Sequence, residues 1–100
     1  MTQEEMAAEC LRLAALPEKP TLNNVRPLIK VYYQGRGSQC GCCNHIVLED
    51  PNQEDSAVEH CIESAKENGH EDCEAVGRLL LRLSFTQRTK LYRWWGKYDQ

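Results

Sequence analysis

Apolar residues recur at helical spacing near the start of the chain. Three of them lie four and then three positions apart and therefore share one helical face: Met6, Cys10 and Leu13. Thr2 followed by Glu5 has the spacing of a capping box, in which two side chains satisfy the free N–H groups of a helix start. Pro17 and Pro20 cannot continue a helix. The pattern predicts a first helix over residues 3–15.

Residues 24–34 fit two structures. Four apolar positions suit a helix that has Pro27 in its first turn: Val25, Leu28, Ile29 and Tyr32. Residues 28–33 fit a strand equally well. We prefer the helix. Glycines at 35, 37 and 41 then predict a loop, and the apolar run at 46–48 predicts a short buried extended segment.

Two further helices are marked by their caps. Asp50 followed by Pro51 predicts the start of a helix over 51–68, and Asn68-Gly69 predicts its end. Its apolar face consists of Val58, Cys61, Ile62 and Ala65. Asp72 is the predicted cap of the next helix. The buried face of that helix consists of Cys73, Val76, Leu79, Leu80 and Leu83.

The last helix begins immediately after the one before it. Ser84 and Gln87 have capping-box spacing, and Gly96 predicts the end of a helix that runs to about Trp95. The short connection requires a sharp turn between the two helices. The sequence therefore predicts a mainly α fold, with α+β as a minor component. It has four to five helices, a glycine/cysteine-rich loop and a short extended segment near 45–49.

Length and composition set the class of the protein. One hundred residues, 41% of them hydrophobic and 27% charged, predict a single folded domain over 1–100. The sequence contains no apolar run of about 20 residues and does not begin like a signal peptide, so we expect a cytoplasmic protein. In that compartment six cysteines are expected to be reduced.

The cysteines and histidines allow a zinc site. Cys40 and Cys43 are separated by two residues, a spacing that lets both side chains bind one Zn²⁺, and His70 and Cys73 have the same spacing. Cys42 and His45 are alternative ligands. The competing interpretation is that these are core thiols, since three cysteines lie on apolar helix faces: Cys10, Cys61 and Cys73. The zinc content of protein purified without added metal distinguishes the two.

Polar side chains crowd the junction before the predicted third helix, either as a polar site or as a solvated helix start: His45, Asp50, Asn52, Glu54 and Asp55. Cys42 and Cys43 near His45 would supply a thiolate and a base, but nothing in the sequence orients the imidazole. We therefore expect a protein that is not an enzyme.

The end of the chain combines cations with aromatic rings. Such a combination favours contacts with carboxylates or phosphates, so either a protein or a nucleic acid would fit. The candidate partner-binding residues are Arg88, Lys90, Arg93, Trp94 and Lys97. Leu91, Trp95 and Tyr98 share one helical face, which predicts that Trp95 is in the core.

Two segments resemble short, uncharacterised proteins encoded by phages and prophages. They are the run from His45 to Asp50 with Asn52, Glu54 and Asp55, and the run from Leu83 to Tyr92. The resemblance covers about residues 35–92. It implies a small regulatory or inhibitory protein that binds a host complex of defence, recombination or transcription stoichiometrically. The alternative is a zinc-dependent regulator that binds nucleic acid through the last helix.

Overall fold

A computed structural model describes residues 1–36 and 48–98. Five α-helices lie wholly within these described residues, which contain no strand. They are α1 (Gln3–Ala15), α2 (Leu22–Arg36), α3 (Asp55–Glu67), α4 (Glu71–Leu81) and α5 (Phe85–Tyr98). The mainly helical fold class is thereby confirmed, and residues 24–34 are helical, as preferred.

Helix α4 is the central element of the fold. It packs against α1, α2 and α3, and six of its eleven residues are buried, so its apolar surface extends around most of its circumference. All five residues of its predicted buried face are buried. The predicted apolar faces of α1 and α3 are also buried without exception. One core cluster contains residues from all five helices.

Local signals set most of the helix ends. The capping box of α1 is present, with the Glu5 N–H donating to Thr2 Oγ1 at 3.1 Å. That of α5 is present as well, since the Gln87 N–H donates to Ser84 Oγ at 3.1 Å. Helix α3 ends as predicted, because Gly69 adopts φ +69°, a conformation that glycine reaches without steric cost.

The predicted start of the third helix is wrong by four residues. Asp50 does not cap a helix at Pro51, since its carboxylate accepts the Asn52 N–H at 2.9 Å. Asn52 Oδ1 then accepts the Glu54 N–H at 3.1 Å. Two successive turns of this kind offer the backbone an alternative to helix, and α3 begins only at Asp55.

Helix α2 continues through Gly35, which was predicted to lie in a loop, and two further boundaries also differ from prediction. His70, rather than Asp72, is the residue before α4 begins, and α5 continues through Gly96 to Tyr98. The predicted extended segment near 45–49 is not found at its described end, because Leu48 and Glu49 have helical backbone. The glycine/cysteine-rich loop and residues 45–47 lie outside the described residues.

Candidate partner-binding surface

The most distinctive exposed feature is an aromatic pair on α5. Trp94 and Tyr98 are one helical turn apart and stack with their ring centroids 5.5 Å apart at 16°. Half of Tyr98 is exposed, and Trp94 is half-buried. Stacked rings present a broad, rigid area at small entropic cost, which is the property that favours tryptophan and tyrosine in binding surfaces.

The orientation of this pair follows from the neighbouring Trp95. Trp95 is buried and stacks on Tyr33 of α2, with ring centroids 4.1 Å apart. Leu91, one turn earlier, is buried too. Successive residues of a helix are separated by about 100°, so burial of Trp95 places Trp94 at the edge of the core. The prediction that Trp95 belongs to the core is confirmed.

Helix α2 supplies two cations to the aromatic pair. The guanidinium carbon of Arg26 lies 5.6 Å from the centre of the Trp94 ring. The ammonium group of Lys30 lies 5.9 Å from the Trp94 ring and 4.7 Å from the Tyr98 ring. Such contacts are electrostatically favourable because the face of an aromatic ring is negative. The rings therefore hold two positive charges beside them.

Helix α5 carries its own cations on the solvent side, and Lys90, Arg93 and Lys97 are all exposed. Together with the two cations of α2 and the stacked pair they form what we call the basic aromatic surface. It consists of Arg26, Lys30, Lys90, Arg93, Trp94, Lys97 and Tyr98. Arg26 and Lys30 were not predicted from the sequence. The sequence feature that could have indicated them is their spacing of four residues, which places both on one face of a helix.

A cleft adjoins this surface on the other side of α5. Its volume is about 450 Å³, and its walls are Leu48 and Glu49 on one side and α5 from Tyr92 to Lys97 on the other. Arg93 and Lys97 belong both to the cleft and to the basic aromatic surface. A space of this size accommodates an apolar side chain next to two positive charges.

Arg88 is not part of the surface, although it was a predicted partner-binding residue. Only 1% of its area is exposed. Its Nε donates to the Gln53 carbonyl at 3.0 Å, and its Nη1 donates to the carbonyls of Leu80 at 3.1 Å and Leu83 at 2.8 Å. Its Nη2 pairs with the carboxylate of Asp55. The guanidinium therefore links α5 to the end of α4 and to the start of α3.

The predicted polar residues before α3 that the structure describes are exposed and do not form a buried polar site. Asp50, Asn52, Glu54 and Asp55 are solvent-exposed, and His45 lies outside the described residues. The residue that organises the segment is Gln53, which is fully buried and donates from Nε2 to the Asp50 carbonyl at 2.6 Å. Among the described residues this segment has the geometry of a structured helix start.

Two of the predicted zinc ligands, His70 and Cys73, lie within the described residues, and Cys73 is in the hydrophobic core. Cys73 is fully buried and accepts a hydrogen bond from the Tyr32 hydroxyl at 3.2 Å, whereas His70 is half-buried at the start of α4. Where the structure describes the chain, no group of three or more potential ligands gathers. Cys40, Cys43, Cys42 and His45 lie outside the described residues, so zinc binding stays a prediction.

The three described cysteines lie on helix faces that are buried in the core of the protein. Cys10 is fully buried, and its Sγ lies 3.6 Å from the sulfur of Met6. Burial raises the pKa of the Cys10 thiol to about 12, with a further contribution from the charge of Glu9. A thiol with such a pKa is neutral at pH 7 and is a poor nucleophile. Cys61 is buried on the predicted face of α3.

Comparison of the chain with protein-family models, with characterised proteins and with solved structures finds no significant match. Within residues 1–36 and 48–98, no helix is both long and apolar enough to cross a membrane.

Proposed function

We propose that this chain is a small regulatory or inhibitory protein that acts by stoichiometric binding to another protein rather than by catalysis. In the phage context that the sequence resemblance implies, the target is a host complex of defence, recombination or transcription. The observation that supports the proposal is the basic aromatic surface. In it the partly exposed Trp94–Tyr98 pair lies among cations from two helices.

The chemistry of this surface defines the kind of partner. Tryptophan, tyrosine and arginine are the residues that most often dominate the binding energy of protein interfaces. The cations select a partner segment that carries carboxylates, and the cleft of about 450 Å³ offers a place for an apolar anchor beside Arg93 and Lys97. The proposed partner therefore presents an acidic segment with at least one large apolar side chain.

The charge balance favours a protein over a nucleic acid. The chain has a net charge of −3, whereas domains that bind nucleic acids non-specifically are usually strongly basic. A long phosphate backbone would also be repelled by the exposed carboxylates of α3, such as Glu59 and Glu63. A short acidic segment of a protein meets only the local positive field of the basic aromatic surface.

Charge reversal tests the proposal. In the variant Arg93→Glu with Lys97→Glu, we expect proteins captured by the wild type from nuclease-treated bacterial lysate to be lost, because two cations at the cleft become carboxylates. The readout is quantitative mass spectrometry of the captured proteins. The mass of the purified complex from light scattering then gives its stoichiometry.

A matched control distinguishes the effect of changing the basic aromatic surface from the effect of changing the net charge of the protein. Lys19 and Lys66 are exposed and lie outside the basic aromatic surface, and Lys66 is in the last turn of α3 as Lys97 is in the last turn of α5. Lys19→Glu with Lys66→Glu should retain the captured proteins. Equal capture by both double variants would contradict the proposal. A salt-sensitive shift of DNA or RNA that only Arg93→Glu with Lys97→Glu removes would favour the nucleic-acid alternative.

A further inference from the structure

Three adjoining cavities follow the outer seam between α1 and α4. Their volumes are about 240, 320 and 440 Å³. The first and second share Glu4, Ala7 and Glu71, and the second and third share Leu11. Because neighbouring cavities share wall residues, they form one continuous groove, which we call the α1/α4 groove.

The two helices that form the groove run in the same direction. Glu4 and Glu71, each in the first turn of its helix, line the same cavity. At the other end Arg82 donates from Nη2 to the carbonyl of Leu16 at 2.7 Å. From Glu4 to Ala15 the groove extends about 16 Å, or three turns of a helix, at about 1.5 Å per residue.

The apolar part of the groove consists of five alanines and of Leu11 and Leu81. Its alanines are Ala7, Ala8, Ala14, Ala15 and Ala75. Leu11 lies at the middle of the groove and is 47% exposed, one of four large hydrophobic side chains that are exposed in the described part of the chain. The short side chains on the α1 wall, together with Ala75 on α4, leave space for the longer side chains of a third helix at the usual packing distance of about 8–10 Å.

The charge of the groove is concentrated at one end. Glu4 and Glu71 are exposed there, with Asp72 beside them. The amino-terminal ends of two helices contribute about half a positive charge each, so the two exposed carboxylates alone leave this end negative. At the other end Arg78 pairs with Glu74 at 2.8 Å, and Arg82 binds backbone carbonyls.

We propose that the α1/α4 groove binds an amphipathic α-helix of a partner protein. The helix lies parallel to α1 and α4 and carries lysine or arginine in its first turn. This orientation puts the positive end of its dipole and its basic side chains next to the acidic end of the groove. Its apolar side chains, spaced at i, i+3 or i+4 and i+7, cover Leu11 and the alanines.

The groove is independent of the basic aromatic surface, since the two share no residue. It would bind an element of the opposite charge. The protein would thus contact a partner at two sites, or two partners at once, and a linked pair of sites raises the overall affinity. The variant Arg93→Glu with Lys97→Glu should leave binding in the groove unchanged, so failure of either proposal can be recognised separately.

The test uses two labelled peptides of identical composition and the full chain. Both are 14-residue helices held by the same hydrocarbon staple, with a leucine/alanine stripe. One has two lysines in its first turn, and the other has them in its last turn. By fluorescence anisotropy we expect the first peptide to bind about fivefold more tightly, which corresponds to two exposed ion contacts. Equal affinities would overturn the proposed orientation and charge selection.

Groove variants complete the test. Ala8→Arg places a long charged side chain on an exposed position of the groove and should weaken binding about tenfold, while far-UV circular dichroism confirms the fold. Glu4→Gln with Glu71→Gln should abolish the preference between the peptides, whereas the exposed control pair Glu59→Gln with Glu67→Gln should retain it. Unchanged binding by Ala8→Arg would overturn the proposal. A wild-type dimer that Ala8→Arg dissolves would also overturn it, in favour of a second copy.

Discussion

Arg88 shows how a charged side chain becomes part of a core. Removing a guanidinium from water costs several kcal/mol unless its donors are satisfied, and here three backbone carbonyls and one carboxylate accept from it. Two of those carbonyls belong to Leu80, in the last turn of α4, and to Leu83, two residues beyond its end, where a cation interacts favourably with the negative end of the helix dipole. The residue therefore stabilises the α4–α5 turn.

Replacement of Arg88 should be strongly destabilising. We expect Arg88→Met to lower the free energy of unfolding by about 3 kcal/mol, because it leaves buried carbonyls without donors. Urea denaturation followed by far-UV circular dichroism measures the change. A loss below about 1 kcal/mol would show that the network contributes little.

Two comparison variants isolate the buried contacts. Arg93→Met removes the same group from an exposed position of the same helix and should change stability by less than about 0.5 kcal/mol. Asp55→Asn should cost less than about 1 kcal/mol, because the Asp55 side chain is 72% exposed and water screens its pairing with Arg88.

The helices differ in how the free backbone N–H groups at their amino-terminal ends are hydrogen-bonded. Ser84 and Gln87 form a reciprocal pair before α5, in which the Ser84 N–H also donates to Gln87 Oε1 at 2.9 Å. Glu54, at the same position before α3, makes no capping hydrogen bond through its side chain. The start of α3 depends instead on the turns at Asp50 and Asn52.

This difference predicts unequal effects of alanine at the two caps. Ser84→Ala should lower the free energy of unfolding by about 1 kcal/mol, because the Gln87 N–H loses its acceptor. Glu54→Ala, the matched control, should change it by less than about 0.5 kcal/mol. Equal losses in urea denaturation of the two variants would mean that the Ser84 side chain does not stabilise α5.

At the scale of the molecule, the helices share one core. Buried residues from every helix belong to a single cluster, and α4 lies at its centre. Tyr33 and Trp95 link α2 and α5 across this cluster through their stacked rings. No helix in the described part of the chain has a separate core on which it could remain folded alone.

The shared core predicts one cooperative unfolding transition. Both tryptophans, Trp94 and Trp95, are on α5, so tryptophan fluorescence reports that helix, whereas far-UV circular dichroism reports all five. The two signals should give the same urea midpoint, as expected of a two-state domain. Midpoints that differ by more than the fitting error would show that α5 separates from the rest of the fold.

The sequence by itself determined the helices and the sides they bury. Capping pairs, Asn68-Gly69 and apolar periodicity act within one or two turns, so four helices, the buried faces of α1, α3 and α4, and the core position of Trp95 could be predicted. For residues 24–34 the sequence fitted a helix and a strand equally well. Even Arg88 carried a signal, because it lies three and seven residues before Leu91 and Trp95 on the buried face. The spacing was not interpreted as a sign of burial because arginine is rarely buried.

Only the tertiary structure decided which surfaces meet. The cations of Arg26 and Lys30 lie beside Trp94 because α2 packs on α5, and the groove exists because α1 packs parallel to α4. The start of α3 depends on Gln53, whose carbonyl is bound by a guanidinium 35 residues away. Helix periodicity specifies which face of each helix is apolar, but the partner of that face is chosen by packing among residues distant in sequence.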